Sequence, residues 1–328
     1  MRRPFKVSLD PAAAYPAVAE VRTAIDRRDW QACRAVLDDA SPDGRQFLIQ
    51  TGGEHEGRKR GARAAETESF LRDVLAADSQ DSAAAAMLGF FMITVGWSIR
   101  GRATHVRRQD FVKFQEWLRG AEQVLHDAVG CNPDEPAIWV ARLLTARGLE
   151  LGLAESRRRY DRLRALDPRC YPGQEQFLQR LCPKWGGSWD LLHPWAREEM
   201  MAAPPGSLQG GLVALGHLEQ WLALGRAAGF RYLRQRKVRD EIHEAAQRSI
   251  WHLDFRRGYP WVRVAATFAV AFSMTADHRA AARVFAMTGT LGDEFPWRYA
   301  TGMGIGTYTA ASAMRQRRAI ASVLGARR

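Results

Sequence analysis

The chain has almost no lysine, little cysteine and no long uninterrupted apolar run. Lysine stands at five positions only, Lys6, Lys59, Lys113, Lys184 and Lys237, although Lys and Arg together number 48 in 328 residues. The formal net charge of +12 is therefore carried by arginine. A basic balance invites an acidic partner such as nucleic acid, but an arginine surplus beside abundant Ala and Gly is also what codon bias in a GC-rich genome produces. The four cysteines, Cys33, Cys131, Cys170 and Cys182, show no CxxC spacing. That excludes the usual zinc and dithiol motifs and leaves buried free thiols in a reducing compartment as the expectation. No run reaches the roughly 18 apolar residues of a bilayer span. The most apolar stretch, 262–274, is shorter and holds Arg263. The basic start, Met1-Arg2-Arg3-Pro4-Phe5-Lys6, is followed by no apolar segment of the kind a secretory leader needs. A cytoplasmic location without membrane contact is expected. No stretch alternates with period two over five residues, which argues against strands. There is no Gly-x-Ser-x-Gly, no P-loop and no cysteine in a catalytic context, so no nucleophile or phosphate loop is marked.

What is present is helical patterning. Hydrophobic residues make up 46% and charged residues 26%, a balance that supports a packed core at this length. Three stretches end a helix alike: Leu71-Val74-Ala77-Asp78-Ser79, Leu125-Ala128-Cys131-Asn132-Pro133 and Tyr160-Leu163-Leu166-Asp167-Pro168. Each is an apolar stripe at helical spacing closed by a polar breaker. Pro133 and Pro168 are 35 residues apart, close to the ~34 of a tetratricopeptide helix pair. The expected fold is all-α: tetratricopeptide-like stacked helical hairpins forming an α–α superhelix, with no significant sheet.

Four regions are expected. Residues 1–40 read as an N-terminal helical hairpin with a turn at Arg27-Arg28-Asp29. Residues 41–64, rich in Gly and charge, read as a flexible linker. Residues 65–300 read as the helical-repeat domain, and 301–328 as a C-terminal helix with a basic tail. Within the array, Ser82 is placed to cap a helix over 82–100, and Gly101 to stop it. Residues 110–129 carry apolar positions at i, i+3, i+4 and i+7 over five turns. Pro136 suits a first helical turn, and Pro260 opens the most apolar helix, expected to be central. Asp293-Glu294-Phe295-Pro296-Trp297 reads as a break, and 307–324 as the last helix.

The segment Leu181-Cys182-Pro183-Lys184-Trp185-Gly186-Gly187-Ser188, together with Gly96-Trp97-Ser98-Ile99-Arg100-Gly101 upstream, resembles an uncharacterised bacterial family of all-helical, tetratricopeptide-like domains with a Pro-x-Trp-Gly-Gly-Ser segment. The resemblance spans roughly residues 65–300. It implies the fold and carries over no catalytic residue. The glycines permit a tight turn with positive φ, and Ser188 is placed to cap the next helix. The same loop could instead hold an anion on helix N–H groups.

Stacked helix pairs usually bind rather than catalyse. The leading expectation is a scaffold or adaptor that takes a protein or peptide partner in a groove, with Trp97, Arg100, Trp139 and Trp185 as candidate contacts, because aromatics and Arg dominate binding hot spots. No cofactor is implied. The alternative is an enzyme with an interhelical pocket in the second half, with a metal as one option, drawing on His217, Glu219, Asp240 and His243. A di-iron bundle wants two Glu-x-x-His motifs and two further carboxylates; only one imperfect version is present. His193 and His217 otherwise read as satisfied interior histidines. The third reading is nucleic-acid binding through Arg231, Arg234, Arg236, Lys237 and Arg239, with Phe230 and Tyr232 interleaved and Arg226 nearby. Arg315, Arg317, Arg318, Arg327 and Arg328 repeat the basic theme. A basic run of this kind is also what a solvated inter-helix loop looks like.

Overall fold

The computed structural model describes residues 7–59, 61–101, 106–302 and 310–325. Among these the chain is helical throughout, and the only sheet-like contact is an isolated bridge between Ser8 and Leu291. The fold is all-α, built from stacked helical hairpins. It divides into two compact units: Tyr15–Arg180, and Leu181–Arg328 together with the segment up to Ala14. The single array expected over 65–300 is thus split between Arg180 and Leu181.

The first unit holds α1 (Ala17–Asp26), α2 (Trp30–Asp39), α3 (Pro42–Gly57), α4 (Ala62–Ala77), α5 (Ser82–Arg100), α6 (Arg108–Cys131), α7 (Pro136–Gly148), α8 (Gly152–Leu166) and α9 (Tyr171–Leu181). The repeated stop is real at backbone level. Asp78, Asn132 and Asp167 adopt nearly the same extended conformation, with φ of −140°, −143° and −139° and ψ of 93°, 91° and 96°. In each, the side-chain oxygen accepts from the N–H two residues on, at 3.0, 3.1 and 3.0 Å. This Asx turn offers the chain an alternative to another helical turn, so the helix ends there. Pro136 begins α7, and Gly101 ends α5 at φ 65°. The α5 cap is Asp81 rather than Ser82: its carboxylate accepts from the Ala84 N–H at 3.0 Å.

The linker expected over 41–64 is for the most part a helix. Ser41 caps α3 and Pro42 occupies its first turn, a start signal that the glycine content masked. The glycines are a contact surface. A Cβ on Gly53 would lie 2.5 Å from the Met87 carbonyl oxygen, and one on Gly57 would lie 2.6 Å from that of Phe91. Four residues apart, they share one face and let the α3 backbone lie against α5. The N-terminal hairpin α1–α2 packs on α3 as part of the same unit. Contrary to the expectation that no run is long enough, α5 could cross a membrane by length and composition, but most of it is buried inside the protein. It is the core helix of this unit, packed on α3, α6 and α7.

A charged knot lies between α6, α7 and α8. Glu122 Oε1 accepts from Arg142 Nη2 and Arg159 Nη2, both at 2.8 Å, and Oε2 accepts from Arg159 Nη1 at 2.9 Å. Thr145 donates to Glu122 as well, and Arg159 Nε donates to Glu155 at 2.7 Å. The Arg142 and Arg159 side chains are only 7% and 3% exposed. Burial pushes the Glu122 carboxyl up, but its Arg and Thr donors outweigh burial and hold it below the usual range. Glu155, held chiefly by Arg158, falls to about 2.

The second unit holds α10 (Trp189–Ala202), α11 (Gly210–Leu224), α12 (Arg226–Leu233), α13 (Arg236–Arg248), α14 (Trp261–Met274), α15 (His278–Thr288), α16 (Glu294–Gly302) and α17 (Ala310–Leu324). α14 is buried nearly all round and packs on α11 and α15, the central place its sequence predicts. Two expected irregular segments are helical. The basic run 226–239 forms α12 and the start of α13. The break over 293–297 is the opening of α16, where Asp293 accepts from the Phe295 N–H at 2.9 Å and Pro296 sits in a first turn that needs no N–H. The C-terminal helix is not a separate element. α17 packs on α15 and α16, and Arg318 donates to the Phe285 and Gly289 carbonyls at the end of α15. Residues 1–6, 307–309 and the terminal pair Arg327 and Arg328 lie outside the described residues.

Candidate functional site

The expected groove residues fall in both units: Trp97, Arg100 and Trp139 in the first and Trp185 in the second. Trp97 is half-buried on α5, edge-on to Phe114 with ring centroids 4.9 Å apart. The guanidiniums of Arg100 and Arg147 lie 5.6 and 5.7 Å from its ring. Trp139 is buried in α7, donates its indole N–H to the Pro133 carbonyl at 2.8 Å and covers the guanidinium of Arg142. It is a packing residue beside the charged knot. Trp185 belongs to the second unit, at the end of the 3₁₀ turn Pro183–Trp185. There Gly186 takes φ 84°, a Cβ on Gly187 would lie 2.1 Å from the Leu181 carbonyl oxygen, and Ser188 caps α10 by accepting from the Leu191 N–H. The Trp-Gly-Gly-Ser segment is thus a tight turn whose helix N-terminus is capped by its own serine.

The four residues of the metal alternative are also dispersed. His217 and Glu219 are two apart on α11, so their side chains leave opposite faces. Glu219 is committed to Lys184 at 2.7 Å. On α13, Asp240 is exposed and faces Arg236 at 3.5 Å. His243 turns to Asp277 at 2.8 Å, flanked by Phe272 and Trp251. Among the described residues no group of three His, Cys, Asp or Glu side chains is placed to hold a metal ion.

His217 instead joins a cluster drawn from four helices. Its Nδ1 lies 2.6 Å from the Tyr232 hydroxyl of α12, and its Nε2 lies 3.0 Å from Glu241 of α13. His193 of α10 bonds Gln220 at 2.6 Å, with its ring centroid 4.7 Å from that of His217. Burial and the neighbouring His217 lower His193 to about 4, and burial raises the Tyr232 phenol above its ordinary range. At neutral pH the His193 ring is therefore neutral and the phenol keeps its proton. The cluster ties α10–α13 together through polar atoms that are already partnered.

The first unit carries an apolar cleft of about 330 Å³, lined by Ala64 and Ala65 of α4, Phe91, Val95 and Ile99 of α5, and Trp117 of α6. Phe91, Val95 and Ile99 follow at four-residue steps and so form one stripe. The small residues of α4 leave the opposite wall low. The charged lining residues, Lys59 and Glu68, are engaged elsewhere: Lys59 with Asp26 and Glu56, both at 2.8 Å, and Glu68 with Arg72 at 2.8 Å. The cleft therefore presents apolar surface. A second cavity is lined by Asp26, Arg28, Lys59, Arg63 and Glu66 among others; Asp26 pairs with Lys59 at 2.8 Å and Arg28 with Asp73 at 3.1 Å.

Sequence reasoning missed this cleft. The available signal was the four-residue spacing of Phe91, Val95 and Ile99 opposite the small residues Gly61, Ala64 and Ala65, which fell at the junction of the expected linker and repeat domain. No family model, curated protein or solved structure matches the chain.

Proposed function

We propose that the protein is a helical scaffold that binds an apolar segment of a protein partner, and that the cleft between α4, α5 and α6 receives it. The observation that carries this reading is the Phe91–Val95–Ile99 stripe facing small residues, with the neighbouring charges neutralised within the chain. At about 330 Å³ the cleft has the size of a small ligand pocket. Its walls include the exposed residues Gly61, Ala65 and Ser98, so it lies open along one side, which suits side chains projecting from a partner helix. Trp117 and Ile99 are the anchoring contacts. The small-residue wall, rather than Trp139 or Trp185, sets the shape.

Panning the full chain against a displayed library of amphipathic helical peptides tests this. Peptides with two bulky apolar residues three or four apart should be enriched. Ile99→Glu places a charge on the half-buried wall and should weaken the selected peptides at least about tenfold, since an unpaired charge in an apolar contact costs more than 1.4 kcal/mol. Selection of peptides that bind Ile99→Glu equally well would refute the assignment.

A further inference from the structure

The positive charge of this chain is not spread evenly. Residues 15–180 carry 25 Lys and Arg against 24 Asp and Glu, whereas residues 181–328 carry 20 against 11. The surplus is thus a property of the second unit, and uniform arginine enrichment does not account for it. Part of it is structural: Arg318 closes the end of α15, and Arg248 donates to the Met200, Met201 and Ala203 carbonyls.

The run over α12 and the start of α13 is different. Arg226, Arg231 and Arg234 are exposed, and no carboxylate among the described residues lies within ion-pair distance of them. Arg236 and Lys237 are 96% and 85% exposed and have only loose partners, Asp240 at 3.5 Å and Glu241 at 3.9 Å. Pairs this exposed and this long hold their charges weakly. Arg239 lies 3.9 Å from Asp277.

The apolar residues of the same run face inward. Leu233 is fully buried. Phe230 packs edge-on against Trp221 at 5.8 Å. Tyr232 spends its hydroxyl on His217 at 2.6 Å. The helix is fixed by its aromatic side and presents guanidiniums outward.

We infer that this face binds the phosphate backbone of a nucleic-acid duplex without reading its sequence. Three properties select that partner. Arginine is the side chain best matched to phosphate. A protein interface needs an apolar or aromatic centre, and here those residues are turned in. Single-strand binding relies on exposed aromatics for stacking, and both aromatics of the run are already packed. What remains is charge-driven contact with a regularly charged rod. This inference is independent of the apolar cleft, which belongs to the other unit.

The test is fluorescence anisotropy of the full chain with a labelled 20-base-pair DNA duplex and the equivalent RNA duplex, titrated from about 50 to 300 mM KCl. Binding to one or both should weaken as salt rises, with log K falling against log salt at a slope of about −3 to −5, the release expected for three to five phosphate contacts. The double substitution Arg231→Glu with Arg234→Glu should lower affinity at least tenfold at the lowest salt. Both sites are exposed, so the thermal transition should stay in place, and Arg226→Gln should give a smaller loss in the same direction. The inference is overturned if neither duplex binds, if the slope is flat, or if charge reversal at Arg231 and Arg234 leaves affinity unchanged. It is equally overturned if polyglutamate or phosphatidylserine vesicles bind this face more tightly than either duplex.

Discussion

Glu122 shows how much a single side chain can carry when it is enclosed. It accepts from two nearly buried guanidiniums, one of which it shares with Glu155, and from Thr145 as well. Glu122→Gln keeps the shape and removes the charge, leaving Arg142 buried without its counter-ion and Arg159 with Glu155 alone. Chemical denaturation should show a loss of about 3 kcal/mol, the range found when one partner of a buried pair is removed. Arg162→Ala, which removes the exposed pair with Asp134, should cost no more than about 1 kcal/mol. His193 supplies a second residue-level expectation. Its ring protonates at about 4 in the folded chain and at an ordinary 6.5 in the unfolded one. Between those values the unfolded chain binds the extra proton. Its contribution is therefore intact above about pH 6.5 and is lost as pH falls toward 4, amounting to about 3 kcal/mol at most. Urea unfolding at pH 7 and pH 5 should show a larger acid-side loss for the wild type than for His193→Gln; equal losses would mean the ring is not protected from protonation.

At the scale of elements, the helix ends were the most legible part of the sequence. Asp78, Asn132 and Asp167 announced themselves by side-chain chemistry, because an Asx turn is a local event. Ser188, Gly101 and Pro136 were legible for the same reason. What local reading could not show was α3. Its glycines look like a linker until a partner helix stands against them, and that partner, α5, begins 25 residues after α3 ends. The same gap hid α12 and α16, where Arg-rich and Pro-containing runs read as loops until an apolar neighbour was in place. Gly53→Ala tests the account of α3. A methyl group 2.5 Å from the Met87 carbonyl oxygen must push the helices apart, and we expect a loss of at least about 2 kcal/mol despite alanine's better helix propensity. A neutral or stabilising result would show that α3 does not lie against α5.

At the scale of the whole molecule, two units of different character share one chain. One is charge-balanced and holds an apolar cleft. The other carries the arginine surplus on a face whose aromatics are turned inward. The class of fold was readable from periodicity, but the division was not: α9 ends at Leu181 and Pro183 with Gly186 and Gly187 follows at once, a breaker that reads like any other tight turn between helices of one array. The candidate contacts were chosen as conspicuous Trp and Arg residues. The cleft is built largely from inconspicuous ones: two alanines, Val95 and Ile99. Large aromatics dominate packing as readily as binding, so their presence did not discriminate. Hydrogen–deuterium exchange of the full chain, with and without a selected amphipathic peptide, tests the central claim most directly. The cleft account predicts added protection in the first turns of α4 and the C-terminal half of α5. Protection confined to the second unit, or none at saturating peptide, would contradict it.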